Sequence, residues 1–428
     1  MFAHIKRALS AAAAVLCTAG LATVGAAGAS AAPAHARQPA HPTAYVANYG
    51  GNDVTAIDTT TNRVITTIAV RKYPGAIAVT PDGKTAYVAT SRGVVPVDTA
   101  TNTASRVISN TRGAGAIAVT PDGKTAYITT ADHVIAIDTA TNAVIKQIAW
   151  KPGTAWGTSP IVISPDGKTA YIVTTLGTLT PLDTATNTLG KPVKLGFVAE
   201  NGAVYLAITP DGRTVYVTWG APYGAGHQVF AVRTATGRVL PAINIRKWPV
   251  ALVMSPDGKT VYVASTGKGG TGCLKQAKRV ACLRATASPR TDHPAVVTPI
   301  STATNTAGPQ IALGPTAAPF WMGGGQAMAI TPDGTMLYVA YNRAGGTQVS
   351  YVVPINTATN TALPRIDTGR TLASVAITPD GKTAYVTRIR TRNGLYIPGK
   401  VIPIDTATNT AGTSILVDVL PTVIAITP

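Results

Sequence analysis

If any residues here do acid–base or metal chemistry, they are carboxylates at fixed spacing. Asp82, Asp122, Asp166, Asp211, Asp257, Asp333 and Asp380 each stand in a Pro-Asp-Gly phrase. A second phrase, "DTATNT" or a variant, begins at Asp58, Asp98, Asp138, Asp183, Arg233, Ser301, Asn356 and Asp405. Recurring aspartates invite a catalytic or calcium-binding reading, but the residues around them favour turns. Proline presets φ at the first corner, and glycine accepts the positive φ that closes it. In "DTATN" the aspartate bonds the backbone two residues on, and asparagine tolerates the left-handed conformation. Every copy needs its turn, so these carboxylates read as structural. Asp53, Asp132, Asp292, Asp367 and Asp418 remain, with Glu200 the one glutamate. His133, His227 and His293 are the histidines worth weighing, but they fall in separate repeats, and no metal shell is expected from them. The chain has no G-x-S-x-G elbow and no phosphate-binding glycine loop, and Ser159 and Ser265 have no evident base. No catalytic residue and no cofactor are expected.

Binding chemistry is better represented. The five tryptophans are Trp150, Trp156, Trp219, Trp248 and Trp321. "RIRTRNGLYIPGK" sets Arg388, Arg390 and Arg392 at alternate positions ahead of Tyr396. Alternate residues of a strand point the same way, so the three arginines are expected in one basic row.

The elements that position these residues come from the repeats, which outrank the length of 428 residues as a guide to domain count. The Pro-Asp-Gly phrase returns about every 40 to 50 residues, with one longer gap between Asp257 and Asp333. Each unit reads as four short strands, exemplified by "AIAVT", "TAYVAT", "VVPVDT" and "AVIKQIAW" from different copies. Four-stranded units at this period predict an all-β fold, a single β-propeller. The Tyr-Val or Tyr-Ile second strand occurs at Tyr45, Tyr87, Tyr127, Tyr171, Tyr216, Tyr262, Tyr338 and Tyr385. The copy at Tyr45 has no first strand before it, and "VIAITP" at the end has no second strand after it. Pairing the two closes a ring of eight blades without an open edge.

"YVAN" at Tyr45–Asn48, followed by "YGGNDVTAIDTTTNRVITTIAV" and "PGAIAVTPDGKTAYV", resembles the YVTN family of propeller repeat proteins. The likeness covers nearly all of the chain after its leader. It implies a propeller, in that family more often of seven blades, which stands as the alternative count. It also implies cell-surface, surface-layer or exported nucleic-acid-binding roles, with lactone hydrolases and quinoprotein dehydrogenases as more distant relatives.

Residues 1–31 read as a signal peptide: Lys6 and Arg7, an apolar run from Ala8, then "ASA" at Ala29–Ala31. Residues 32–42 read as a flexible segment and 43–428 as the propeller, with a long inserted loop at 265–294. No transmembrane segment is expected after the leader, and the protein is expected to be secreted or held at the cell surface, as a monomer. An exported chain meets an oxidising compartment, so Cys273 and Cys282 in "CLKQAKRVAC" are expected to form a disulfide. The chain-entropy model gives such a loop roughly 2.5–3 kcal/mol.

A ring of such blades has two faces. Turns one-to-two and three-to-four share one; loops two-to-three and the crossovers share the other. All five tryptophans fall in or beside that second, irregular face, with Tyr73, Tyr223, Phe197, Phe320, Tyr341 and Tyr396. With Lys6 and Arg7 set aside, 34 of the chain's 36 basic residues face 18 acidic ones. The irregular loops hold about 20 of the bases and about 5 of the acids, and a one-sided basic surface implies an anionic partner. The expected function is therefore a non-catalytic scaffold whose loop face binds an anionic polymer, either a cell-envelope glycopolymer or nucleic acid, or another protein. Two alternatives stand: an enzyme with its site at the channel mouth, and a surface-layer or adhesion component.

Overall fold

The computed structural model describes residues 41–150, 159–197, 203–220, 227–246, 249–265, 295–313, 327–342, 350–392 and 394–428, with the backbone alone at 273–276 and 279–282. The expected leader lies outside these residues, as do Trp156, Trp248 and Trp321.

The described residues form strands and no helix, arranged as eight four-stranded antiparallel sheets. Blade 2 shows the pattern: Ala76–Val79, Thr85–Thr90, Gly93–Asp98 and Thr103–Ala104, from channel to rim. The first strands neighbour one another all the way round, from Ala76–Val79 through Ala116–Val119, Ile161–Ile163, Ala203–Ile208, Pro249–Met254, Met328–Ile330 and Leu372–Ile377 to Pro421–Ile426, which returns to Ala76–Val79. The molecule is an eight-bladed β-propeller.

Blade 1 is built from both ends of the chain. Pro421–Ile426 pairs with Thr43–Asn48, in register from Ala44↔Ile426 to Ala47↔Val423. Asp53–Asp58 and Arg63–Ala69 complete the sheet. Thr43 N donates to Thr427 Oγ1 at 2.8 Å, and Thr427 N donates to Thr43 O at 3.0 Å. Pro428 fills the place that the Pro-Asp-Gly proline takes elsewhere. A Cβ added to Gly83 would meet Pro428 at 3.4 Å, just as one on Gly123 would meet Pro81 of the preceding blade at 3.5 Å.

Second strands read as continuous apolar runs because both sheet faces are covered by neighbouring blades. "TAYVAT" at Thr85–Thr90 is buried from Ala86 onward, whereas the outer strand Arg63–Ala69 is mostly exposed. The core is thus a set of wedges between blades. One holds Val46, Ile57 and Ile424 of blade 1 against Tyr385, Val401 and Ile415 of blade 8.

Across six of the eight seams, the second-strand tyrosine reaches the next blade's "TATN" turn. Tyr45 donates to Asn102, Tyr87 to Asn142, Tyr127 to Asn187 and Tyr338 to Asn409, each at 2.7 Å. Tyr262 donates to Asn360 at 3.2 Å and Tyr385 to Asn62 at 2.6 Å. Each of these asparagines has φ between 52° and 58°. Asparagine is therefore selected twice, for the left-handed corner and for the acceptor it offers the tyrosine. Burial pushes the hydroxyls of Tyr87, Tyr127 and Tyr338 up to about 12, so they remain donors through neutral pH.

The two turns of a blade are also bonded together. Thr99 Oγ1 donates to Gly83 O, and the same bond joins Thr139 to Gly123, Thr184 to Gly167 and Thr406 to Gly381. Both turns therefore lie on one face, and the loops two-to-three and crossovers on the other.

The Tyr385→Phe variant is expected to lose about 1 kcal/mol of stability by removing one seam bond. Tyr216→Phe, whose hydroxyl has no asparagine bond, should lose less. Denaturant midpoints measure the difference, and equal losses would contradict the role given to the bond.

Candidate functional site

The Arg388–Tyr396 segment sits on an extension of blade 8. Its second and third strands, Thr383–Arg392 and Leu395–Asp405, are the longest described. The pairing shifts register between Arg388 and Arg390, so the three arginines do not continue one regular ladder. Arg388 is half-buried, lies on Gly369 and donates from Nε to Arg370 O at 3.3 Å. Burial, then Arg390 and Arg370, lower its pKa from the usual arginine value. Arg390 Nη1 donates to Pro398 O at 3.1 Å, while Arg392 and Arg370 are exposed. Ile389 turns the other way and packs with Tyr49, Ala373 and Leu420, and Tyr396 lies against the same cluster.

Trp150 and Trp219 are 7% and 9% exposed. Trp150 packs with Tyr127, Ile148 and Ile161 at the seam of blades 3 and 4. Trp219 stacks on Phe197 with ring centroids 5.2 Å apart, and Phe197 stacks in turn on Phe230. Sequence position brought both rings to the loop side; wedge packing then buried them. His133 Nδ1 pairs with Asp132 at 3.0 Å, and no group of three metal-ligating side chains occurs among the described residues.

Tyr49 joins blade 8 to the next crossover. Its ring stacks on Tyr73 at 5.0 Å. Tyr73 is 38% exposed and has φ 59°, and Arg71 beside it has φ 111°. Left-handed backbone at two non-glycine residues is costly, and such strain gathers at functional sites. It is held here by Tyr73 N donating to Asn52 Oδ1 at 3.1 Å. Arg71 and Lys72 are both exposed. Tyr73 and Tyr396 thus both lie against Tyr49, with Arg71 and Lys72 on the crossover that carries Tyr73 and Arg390 and Arg392 on the extension that leads to Tyr396.

Beneath this surface lies a carboxylate pair that the sequence showed only as two uncommitted residues. Asp53 begins the third strand of blade 1, and Asp418 is the last residue but one of the outer strand of blade 8, Ile415–Val419. "Gly-Gly" explains how they meet. Gly50 N and Gly51 N donate to Val419 O at 3.0 and 3.1 Å, and a Cβ on Gly51 would sit 2.7 Å from Asp53 Oδ2 and 2.7 Å from the Asp418 carboxyl carbon. Asn48 Nδ2 donates to Asp53 Oδ1 at 2.7 Å and to Thr55 Oγ1 at 2.8 Å. Burial, followed by the hydrogen bond to Asp418, pushes Asp53 up to about 7.

The faces also differ in how charge is matched. Lys84–Asp82, Arg213–Asp211, Lys259–Asp257 and Lys382–Asp380 pair on the turn face at 3.3 to 3.8 Å. Among the described residues, no lysine or arginine of the loop face pairs with a carboxylate. The turn aspartates are committed as expected: Asp82 accepts from Thr80 Oγ1 at 2.6 Å and from Lys84 N at 3.1 Å. No described helix is long and apolar enough to cross a membrane.

No protein-family model matches the chain, and no curated protein matches it. Its resemblance to the YVTN family accordingly rests on the repeated phrases. Solved structures share the fold. Kuenenia stuttgartiensis hydrazine synthase is 23% identical with a TM-score of 0.54, over 78% of this chain and 96% of that one. Dihydro-heme d1 dehydrogenase NirN, in complex with DHE, is 16% identical with a TM-score of 0.62, over 90% and 77%. A functionally unknown protein from Desulfotomaculum acetoxidans is 18% identical with a TM-score of 0.53, over 76% and 94%. At these identities the likeness establishes the propeller fold alone.

Asp53 gives the seam a pH dependence of definite sign. Its folded value of about 7 exceeds the ordinary 3.8. Its contribution to stability is therefore full below about 3.8 and lost as pH rises to about 7. Asp53→Asn keeps the acceptor for Asn48 and supplies an amide donor to Asp418. This variant is expected to flatten the stability profile between pH 4 and 7 and to melt above the parent at pH 8. Thermal melts across that range measure it, and parallel profiles would refute the assignment.

Proposed function

We propose that this protein is an exported, non-catalytic propeller scaffold that holds an anionic polymer on its loop face, across the surface of blades 8, 1 and 2. The observation that carries this reading is the unmatched charge: Lys84, Arg213, Lys259 and Lys382 of the turn face pair with their own turn aspartates, and the described lysines and arginines of the loop face have no such partners. Arg71, Lys72, Arg390 and Arg392 would neutralise phosphate, sulfate or carboxylate groups. Tyr73 and Tyr396 would offer ring faces to bases or sugars. Among solvent-facing positions, an aromatic held in left-handed backbone by Asn52 is pre-organised for contact. Export makes an anionic cell-envelope polymer as suitable a ligand as nucleic acid.

A salt titration of binding to single-stranded DNA and to an anionic glycan tests this. Arg390→Ala combined with Arg392→Ala is expected to weaken binding and to lower the slope of log K against log salt by up to about 1.4 on single-stranded DNA. Lys259→Ala with Lys382→Ala removes equal charge from paired lysines of the turn face and should change the slope much less. Equal effects from the two pairs would leave only a generally basic surface and end the proposal.

The disulfide belongs to the same reading. The long insert carries a two-stranded hairpin, Cys273–Gln276 against Arg279–Cys282, in which Cys273 lies directly opposite Cys282. Opposed residues of an antiparallel pair have Cα atoms about 4.5–5.5 Å apart, within the span a disulfide takes. No disulfide is found among the described residues, and the two cysteine side chains lie outside them. Mass spectrometry of the exported, non-reduced protein should show Cys273 linked to Cys282. Two free thiols would refute the bond.

A further inference from the structure

The seam between blades 4 and 5 breaks the pattern of the ring. Where six seams place an asparagine under the preceding blade's tyrosine, blade 5 reads "RTATG", with Gly237 at that position and Arg233 in place of the usual aspartate. Gly237 keeps the left-handed corner, at φ 66°, and the turn bond from its N–H to Arg233 O at 2.9 Å. The turn is thus preserved while the side chain that fills the seam is gone.

A cavity of about 350 Å³ lies at this place. Its floor is Tyr171, Leu179, Val215 and Val232, all buried, and its accessible apolar sides are Pro181, Pro192 and Val193. Lys191 and Arg233 line it near the surface, with the hydroxyls of Thr234 and Thr236, and no carboxylate lines it. Arg233 is steadied by Nη1 donating to Thr214 Oγ1 at 2.9 Å. Apolar sides with two cations at the opening suit one class of ligand: a small carboxylate on an apolar body. The guanidinium fork and the ammonium would take the carboxylate, and Pro181, Pro192 and Val193 would take the body.

We propose that the missing latch between blades 4 and 5 is a binding site for a small apolar carboxylate, on the opposite face from the polymer surface and independent of it. Benzoate is the probe, with benzamide as its uncharged counterpart. Calorimetric titration should show saturable benzoate binding through the millimolar range, with benzamide weaker by about tenfold because it lacks the charge-assisted bond. Gly237→Asn restores the residue of the six latched seams. The new Cβ meets only Val193 Cγ2, at 3.3 Å, and asparagine holds this backbone elsewhere in the ring. This variant should melt at or above the parent temperature and lose benzoate binding. Arg233→Asp should weaken benzoate and leave benzamide nearly unchanged, which separates loss of charge from loss of fold. Undiminished benzoate binding to Gly237→Asn, equal binding of the two probes, or no saturable binding to the parent would each overturn the proposal.

Discussion

A hydrogen bond between adjacent blades organises this molecule. The tyrosine of each second strand lies in the apolar wedge between two sheets, and its hydroxyl must find an acceptor or lose its hydration without return. In six seams the acceptor is an asparagine held in left-handed backbone at the tip of the next blade's turn. That requirement ties two distant phrases together. "AYV" supplies the donor and its apolar flanks, and "TATN" supplies the corner and the acceptor. Neither can drift alone without leaving a buried polar group unpaired. The bond from Tyr385 to Asn62 spans 323 positions in sequence, so the ring closes with the same contact that joins its other blades.

The parts of this fold legible in sequence are those that repeat locally. The turn chemistry of Pro-Asp-Gly, the four strands per unit and the complementary ends follow from short phrases, and the pairing of Thr43–Asn48 with Pro421–Ile426 agrees with the count of first and second strands. The asparagine of "TATN" was legible only in part. Its backbone role follows from residue type, but its acceptor role depends on a tyrosine in another blade, at a separation no local pattern contains. Tryptophan was the weaker guide. Proximity to a loop does not decide whether a ring caps a wedge or faces solvent, and Trp219 finds Phe197 within 5.2 Å only once blades 4 and 5 are packed.

The same limit applies to the site around Tyr49. Asp53 and Asp418 were separable from the turn aspartates by phrase alone, since neither stands in a repeated turn. Their meeting was not visible, because it needs the first blade to lie against the last and Gly51 to leave room between them. A hint existed in "YGGN": two glycines in a loop between strands mark a close approach of backbone or side chain. The strain at Arg71 and Tyr73 carried no such signal, because neither residue type favours positive φ.

A repeated scaffold makes its exceptions informative. Where every blade needs the same turn, an aspartate or asparagine in that turn says nothing about ligands, and a departure from it does. Blade 5 departs by replacing the acid and the latch at once, keeping glycine where the corner needs it. Blade 8 departs by extending two strands beyond the length the ring needs. The faces depart from each other in charge. On the turn face an aspartate accepts from its own turn, and in four repeats it also pairs with the lysine or arginine two residues on. The loop face lacks this local partner rule, because its residues come from the irregular connections. Basic residues can therefore gather there without disturbing the blades, whose packing is apolar. The repeated turns thereby hold the scaffold constant on one face, while the loop connections of the other can vary in length and charge.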